Sequence, residues 1–186
     1  GVQNMVFITM AVGLGAGLLI NGLLYRGHTE TSGEIGYFLP GREYLGRVYD
    51  RFGALESIAS VDAIINRCRQ ALGLDDAAAL SLADVFDVYA AGDRHVQGIV
   101  DEAVDYLSMA VSVVGSLLDS ELIVIGGSDM DGIDLLAERI RERVAGTMPA
   151  SVRIEVSELG PRAAVLGAIT SVLHKLLDYH VVQAVS

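Results

Sequence analysis

Gly33-Glu34-Ile35-Gly36-Tyr37, followed by Gly53-Ala54-Leu55-Glu56, are the two segments on which the fold of this 186-residue chain turns. Each joins glycine to a single glutamate. Taken singly, Glu34 reads as the cap of a turn and Glu56 as the opening of a helix, where an acid favours the positive end of the helix dipole. Between them lies part of a long glycine-punctuated, partly charged loop, and loops of that length are usually functional or disordered.

Upstream, Met5 to Leu24 is a nearly uncharged run long enough to span a bilayer. Gly13, Gly15, Gly17 and Gly22 would weaken a helix there, and neither flank carries a basic cluster, so the run reads as sheet and not as a membrane span. Val6-Phe7-Ile8-Thr9 and Leu18-Leu19-Ile20 form two strands, with the glycines between them and Asn21-Gly22 supplying a hairpin turn. Leu23-Leu24-Tyr25 continues the sheet.

Downstream, Ile58, Ala59, Ile64, Ile65 and Leu72 follow helical spacing, which predicts one helix of about four turns from Glu56 to Leu72 with Gly73 as its stop. Ser81-Leu82-Ala83-Asp84 has the form of a capping box opening a short helix to Ala91. Val96, Val100, Val104, Leu107, Val111, Val114 and Leu118 recur at three- and four-residue steps, the pattern of a core helix from Asp93 to Leu118. Glu121 to Ile125 reads as a buried strand, Gly126-Gly127 as a turn with Ser128 or Asp129 as a helix cap, and Gly132 to Val144 as a helix. Ser151 to Val156 alternates as a strand, and Pro161 opens a final helix through Leu166, Ile169, Val172 and Leu176. The chain divides into a hairpin and glycine turn (4–27), a loop (28–56), a helical segment (57–119), a Gly-Gly strand-helix unit (120–146) and a C-terminal strand and helix (151–180). Strands at both ends with helices between them make an α/β architecture.

At 52% hydrophobic residues the chain can bury one full domain. Its net charge of -11 makes it a poor direct ligand for nucleic acid, which needs clustered Lys and Arg. The single Cys68 forms no intrachain disulfide and fits a reducing cytoplasm. His28, His95, His174 and His180 are scattered without metal spacing, and the acidic groups Asp75-Asp76, Asp129-Asp131 and Glu138-Glu142 read as solvated faces or caps.

The two glutamate segments resemble the sugar-binding signature of the ROK family (repressors, open reading frames and kinases), in which Gly-Glu-Ile-Gly-His precedes a cysteine-rich loop ending Gly-Cys-Leu-Glu. The similarity runs from about Asn4 to Lys175 in the order of that family's larger, C-terminal lobe. It takes in the glycine turn at Met5 to Gly17, Ile123-Val124-Ile125-Gly126-Gly127, and Leu159-Gly160 with Ala163 to Ala168. It implies the large lobe of an actin-like ATPase, ribonuclease H-like, with a mixed sheet flanked by helices. The family's smaller lobe, with its Asn-Asp pair and general-base Asp, has no counterpart here, so the chain looks like a fragment beginning near the lobe boundary and not a kinase by itself.

By the resemblance, Glu34 and Glu56 contact a sugar, a task suited to carboxylates that accept hydrogen bonds from neighbouring hydroxyls. Tyr37 stands where the family has a His that contacts sugar and ligates zinc; a phenol can donate a hydrogen bond or face a sugar ring but does not replace imidazole on zinc. The other zinc positions hold Arg47, Tyr49 and Ala54. No zinc is expected, and packing of Tyr44, Leu45, Val48, Tyr49 and Phe52 should hold the loop instead. Gly126 and Gly127 match the adenosine turn, and Gly13 and Gly15 the phosphate turn, where Ala11-Val12-Gly13 replaces Gly-Thr-Gly; Gly13, Gly15 and Gly17 read first as backbone requirements of that turn. Nucleotide affinity should be weak or absent.

The resemblance then implies the sugar-sensing and oligomerisation domain of a ROK-type transcriptional regulator, taking a sugar or amino sugar and reaching DNA only through a missing N-terminal region. The alternative is the large lobe of an ATP-dependent sugar kinase without its catalytic half. A third reading is a vestigial structural partner that binds nothing.

Overall fold

The computed structural model describes residues 1–127, 131–148, 152–163 and 165–170. Strand β1 (Met5–Met10) buries Val6, Ile8 and Met10 and turns Met5, Phe7 and Thr9 to the other side, the period of two expected of a sheet with one fully covered face. Antiparallel β2 (Leu14–Ile20) follows, and the Asn21-Gly22 turn, with φ of 52° and 77°, leads into antiparallel β3 (Leu23–Tyr25). Two successive left-handed residues are what a two-residue hairpin loop requires. Strands β4 (Leu122–Gly127) and β5 (Arg153–Val156) join in parallel, giving the order β3-β2-β1-β4-β5. The register sets Leu18, Val6, Ile123 and Ile154 side by side, and Ala16, Ile8, Ile125 and Val156 in the next row.

Among the described residues the helices that pack on the sheet are α1 (Glu56–Ala59), α2 (Val61–Ala71), α3 (Leu82–Ala90), α4 (Arg94–Leu118) and α5 (Ile133–Val144). Helix α4 is the hub and packs against the other four. Val96, Val100, Val104, Leu107 and Val111 are buried along it, as the spacing predicts. Asp93 starts the helix by accepting from the amides of His95 and Val96. The capping box at Ser81 and Asp84 is complete, and the Ser81 hydroxyl, then its amide, hold the Asp84 carboxyl below the usual range. Among the described residues no helix is long and apolar enough to cross a membrane, and the Met5 to Leu24 run is sheet.

Several boundaries differ from expectation. The helix expected from Glu56 to Leu72 is broken at Ser60, whose extended backbone (ψ 158°) frees its hydroxyl to accept from Ala63 N at 3.1 Å and cap α2. Gly73, at φ 65°, does end it. Gly15 and Gly17 lie within β2, so the first turn is only Ala11-Val12-Gly13. Gly126 and Gly127 are the last residues of β4 and not a turn. Beyond a 3-10 turn at Gly160–Arg162, Ala163 and residues 165–170 are helical, but Leu166 and Ile169 are exposed. Ser128, Asp129, Ser151, Ala164, Val172, His174, Leu176 and His180 lie outside the described residues.

Close approach explains Gly127: a Cβ there would sit 1.7 Å from the Met10 carbonyl oxygen, whereas one at Gly17 would meet nothing within 4 Å. Gly127→Ala should therefore cost about 2 kcal/mol or more of unfolding free energy, and Gly17→Ala should stay within about 0.5 kcal/mol of the parent; denaturant titration of both variants checks the contrast. Cys68 is fully buried, and burial pushes its thiol up to about 11. The folded chain at neutral pH should label with a thiol reagent no faster than it unfolds; rapid labelling without denaturant would contradict this placement.

Candidate functional site

Strand β3 pairs only with Leu18 to Ile20, which leaves the first half of β2, paired with β1 on one edge, without a strand along its other edge. The signature loop takes that place. Ala16 N donates to the Gly33 carbonyl at 2.7 Å, and Leu14 N donates to Glu56 Oε1 at 3.0 Å. The second carboxylate oxygen, Glu56 Oε2, accepts from Gly53 N at 3.1 Å. Glu56 is the first residue of α1, as expected, but its side chain also ties the end of the loop to the start of β2.

This interlock requires glycine. A Cβ on Gly33, at φ 87°, would lie 1.9 Å from the Ala16 carbonyl oxygen, and one on Gly36 would lie 2.7 Å from that of Leu14. A Cβ on Gly53 would lie 2.1 Å from the Gly36 carbonyl oxygen and 2.5 Å from Tyr37 N. Backbone contacts thus bring the Tyr37 and Glu56 segments together, with Glu34 and Tyr37 flanking the 3-10 turn Ile35–Tyr37. Glu34 does not cap that turn: its carboxylate is exposed and makes no side-chain cap bond. Tyr37 is 53% exposed.

A cleft of about 290 Å³ opens beside Glu56, between Val12, Phe52 and the outer face of α2, where Asp62, Asn66 and Gln70 line it. Glu34 and Tyr37 are not in its wall. The sequence reading missed the α2 residues, although their spacing of four, opposite buried Ile64, Ile65 and Cys68, marks one polar helix face. Oxygens and amides in a row beside an aromatic ring suit a ligand rich in hydroxyls or heterocyclic nitrogen.

At the glycine turn, Ala11 N donates to the Gly13 carbonyl at 2.9 Å, and a Cβ on Gly13 would lie 2.6 Å from Glu56 Oε1. Gly15 sits opposite Thr9 in β2, and a Cβ there would meet nothing within 4 Å. A Cβ on Gly126 would meet Ser157 and the Phe7 ring, at 2.8 and 2.9 Å. Packing alone accounts for glycine at 13, 126 and 127.

The residues at the family's zinc positions do not suit the metal. Arg47 is exposed and lies over the Tyr44 ring at 5.5 Å, Ala54 is fully buried, and Tyr37 and Tyr49 offer phenols. Among the described residues no group of three or more His, Cys, Asp or Glu could hold a metal ion. Among the described residues the buried Tyr49 hydroxyl has no hydrogen-bond partner. The expected apolar packing of the loop is corrected: Leu45, Val48 and Phe52 are 64, 85 and 40% exposed, and Tyr44 anchors the loop by an edge-on contact with Tyr106 at 6.1 Å.

The ROK family model matches residues 1–175. The glucokinase of Halalkalibacterium halodurans is 29% identical over 182 residues, covering 90% of this chain and 55% of that protein. The xylose repressor of Caldicellulosiruptor bescii is 24% identical over 191 residues, covering 96% and 48%. The chain thus spans about half the length of these relatives. A ROK family glucokinase from Streptomyces griseus, solved with glucose and AMPPNP, superposes with a TM-score of 0.73 at 22% identity, over 90% of this chain and 60% of that one. The mixed sheet flanked by helices is that of the actin-like ATPase fold.

The two glutamates should separate in their effect on stability. Glu56→Ala strands two half-buried amides and should cost about 2 kcal/mol, while Glu34→Ala should change stability by less than about 0.5 kcal/mol. Thermal and denaturant unfolding of both variants provides the comparison.

Proposed function

We propose, since the chain belongs to the ROK family, that it is the sugar-sensing lobe of a transcriptional regulator and acts in the cytoplasm. One observation carries the choice of sensor over enzyme. The turn that would cradle a polyphosphate already holds a carboxylate: Leu14 N is bonded to Glu56 Oε1, and Ala11 N is turned inward to Gly13. Two amides are thereby withdrawn from any phosphate, and the resident negative charge repels one. Val12 adds an exposed aliphatic side chain where a hydroxyl would favour phosphate.

The sugar end keeps its equipment. Glu34 presents an exposed carboxylate, Tyr37 a phenol, and Glu56 retains lone pairs beyond the two amides it accepts. The ligand in this reading is a neutral hexose or amino sugar, held without zinc and without nucleotide. DNA is reached only through polypeptide outside this chain, and the sugar acts by its difference in affinity between two arrangements of the regulator. A sugar kinase lobe is the second reading, favoured by the cleft along Asp62, Asn66 and Gln70, which leaves room for a nucleotide base beside the turn.

Calorimetric titration with hexoses and N-acetylhexosamines tests the first reading. Binding should be seen, and Glu34→Gln should weaken it about 10-fold or more, the worth of a charge-assisted hydrogen bond. ATP should not bind, and elemental analysis of unchelated protein should find no zinc. ATP-dependent phosphorylation of a sugar by the intact protein would overturn the sensor in favour of the kinase, and one equivalent of zinc would overturn the metal-free loop.

A further inference from the structure

The cleft beside Glu56 has two kinds of wall. Val12 and Phe52, 60 and 40% exposed, form an apolar side, and Asp62, Asn66 and Gln70 on α2 form a polar one. Their spacing of four sets the three polar residues in one row, about 6 Å apart along the helix. Asn66 Oδ1 accepts from the Arg69 guanidinium, which leaves the amide N–H groups of Asn66 to donate. Among the described residues Asp62 and Gln70 make no side-chain hydrogen bond. The row thus presents a carboxylate that accepts and amides that donate, beside an aromatic ring.

Charge and size decide what fits. Glu56 and Asp62 bring two carboxylates to the cleft, while the Arg67 guanidinium is already tied to the Ile58 carbonyl and to Glu102. An anion is therefore repelled and a neutral ligand is not. At about 290 Å³ the cleft lies at the small end of ligand pockets, with room for one ring and not for a nucleoside with its phosphates. A pyranose ring is neutral, carries a rim of hydroxyls and has an apolar C–H face. It matches the carboxylate, the amides and the aromatic ring together.

Glu56 joins this cleft to the proposed sugar site. Its Oε1 meets the glycine turn, bonded to Leu14 N, and its Oε2 meets the loop, bonded to Gly53 N and close to Gly36. Tyr37 follows Gly36 and Phe52 precedes Gly53, so the two aromatic residues flank one backbone contact. We propose that the cleft is a second sugar subsite and that the ligand of this chain is a disaccharide or longer glycan. One ring meets Glu34 and Tyr37. The next lies against Phe52 and Val12 with its hydroxyls on Asp62, Asn66 and Gln70, and Glu56 accepts from both. The inference rests on the sugar-sensing reading and extends it from a single sugar to a glycosidically linked one.

Calorimetric titration of the chain with glucose, maltose and cellobiose, and with N-acetylglucosamine and N,N′-diacetylchitobiose, is the test. In at least one of the two series a disaccharide should bind about 10-fold or more tighter than its monosaccharide, the worth of one or two added hydrogen bonds. Asn66→Ala combined with Gln70→Ala, at two exposed helix positions where alanine favours the helix, should bring that disaccharide down to the affinity of the monosaccharide. Circular dichroism of the double variant confirms the fold. A disaccharide advantage that survives the double substitution overturns the proposal. So does adenosine binding that the double substitution abolishes, which would assign the cleft to a nucleoside. Monosaccharide binding with no disaccharide advantage defeats only the subsite, whereas binding of neither defeats the sugar-sensing reading and the subsite with it.

Discussion

Two backbone amides, of Leu14 and Gly53, converge on the carboxylate of Glu56, and the ligand-facing half of the chain is arranged around that convergence. Its cause is a mismatch in strand length. β2 runs seven residues and β3 three, so part of β2 has amides and carbonyls that no strand satisfies. Unpaired backbone in a partly buried setting is costly. The chain meets that demand with the Gly33 carbonyl at one position and the Glu56 side chain at another. Segments crossing so near β2 leave no room for Cβ at Gly33 or Gly36, the Gly36-Tyr37 backbone leaves none at Gly53, and Glu56 crowds Gly13. The glycine-glutamate signature is thus a packing solution first, and any ligand contact is added to it.

What the sequence made legible was the local chemistry. The α4 periodicity, the Ser81 capping box and the Asn21-Gly22 turn each depend on residues within a few positions of one another, and each appears in the structure. The misreadings all involve partners distant in sequence. Ser60 breaks a periodic helix at the point where Asp62 N reaches the Ala11 carbonyl of the glycine turn. Gly126-Gly127 looks like a turn until β1 is laid beside it, when Met10 and Phe7 are seen to require both glycines in a strand. Leu45, Val48 and Phe52 were expected to pack inward because they are apolar, but only Tyr44 finds a ring to lean on.

The site was legible in part. Glu34, Tyr37 and Glu56 stood out through family resemblance, and the backbone contacts of Gly36 and Gly53 account for how their segments meet. Nothing local distinguished the roles of the glutamates, one exposed and free of structural duty, the other committed to two amides. The polar row on α2 had a signal in its spacing of four, but only the fold turns it toward Glu56.

The commitment of Glu56 bears on the choice between sensor and enzyme. A sugar hydroxyl that draws on this carboxylate also acts on what the carboxylate holds, namely the glycine turn through Leu14 and the end of the loop through Gly53. From Gly53 the loop leads back to Tyr44, and Tyr44 touches Tyr106 on α4. The backbone from Gly53 to Tyr44, and the contact of Tyr44 with Tyr106, therefore connect the proposed sugar site to the outer side of α4. The proposed regulator requires such a connection, because a sugar shifts an equilibrium only by as much as its affinity differs between two arrangements of the same contacts. A carboxylate shared between ligand and scaffold is one physical means of creating that difference.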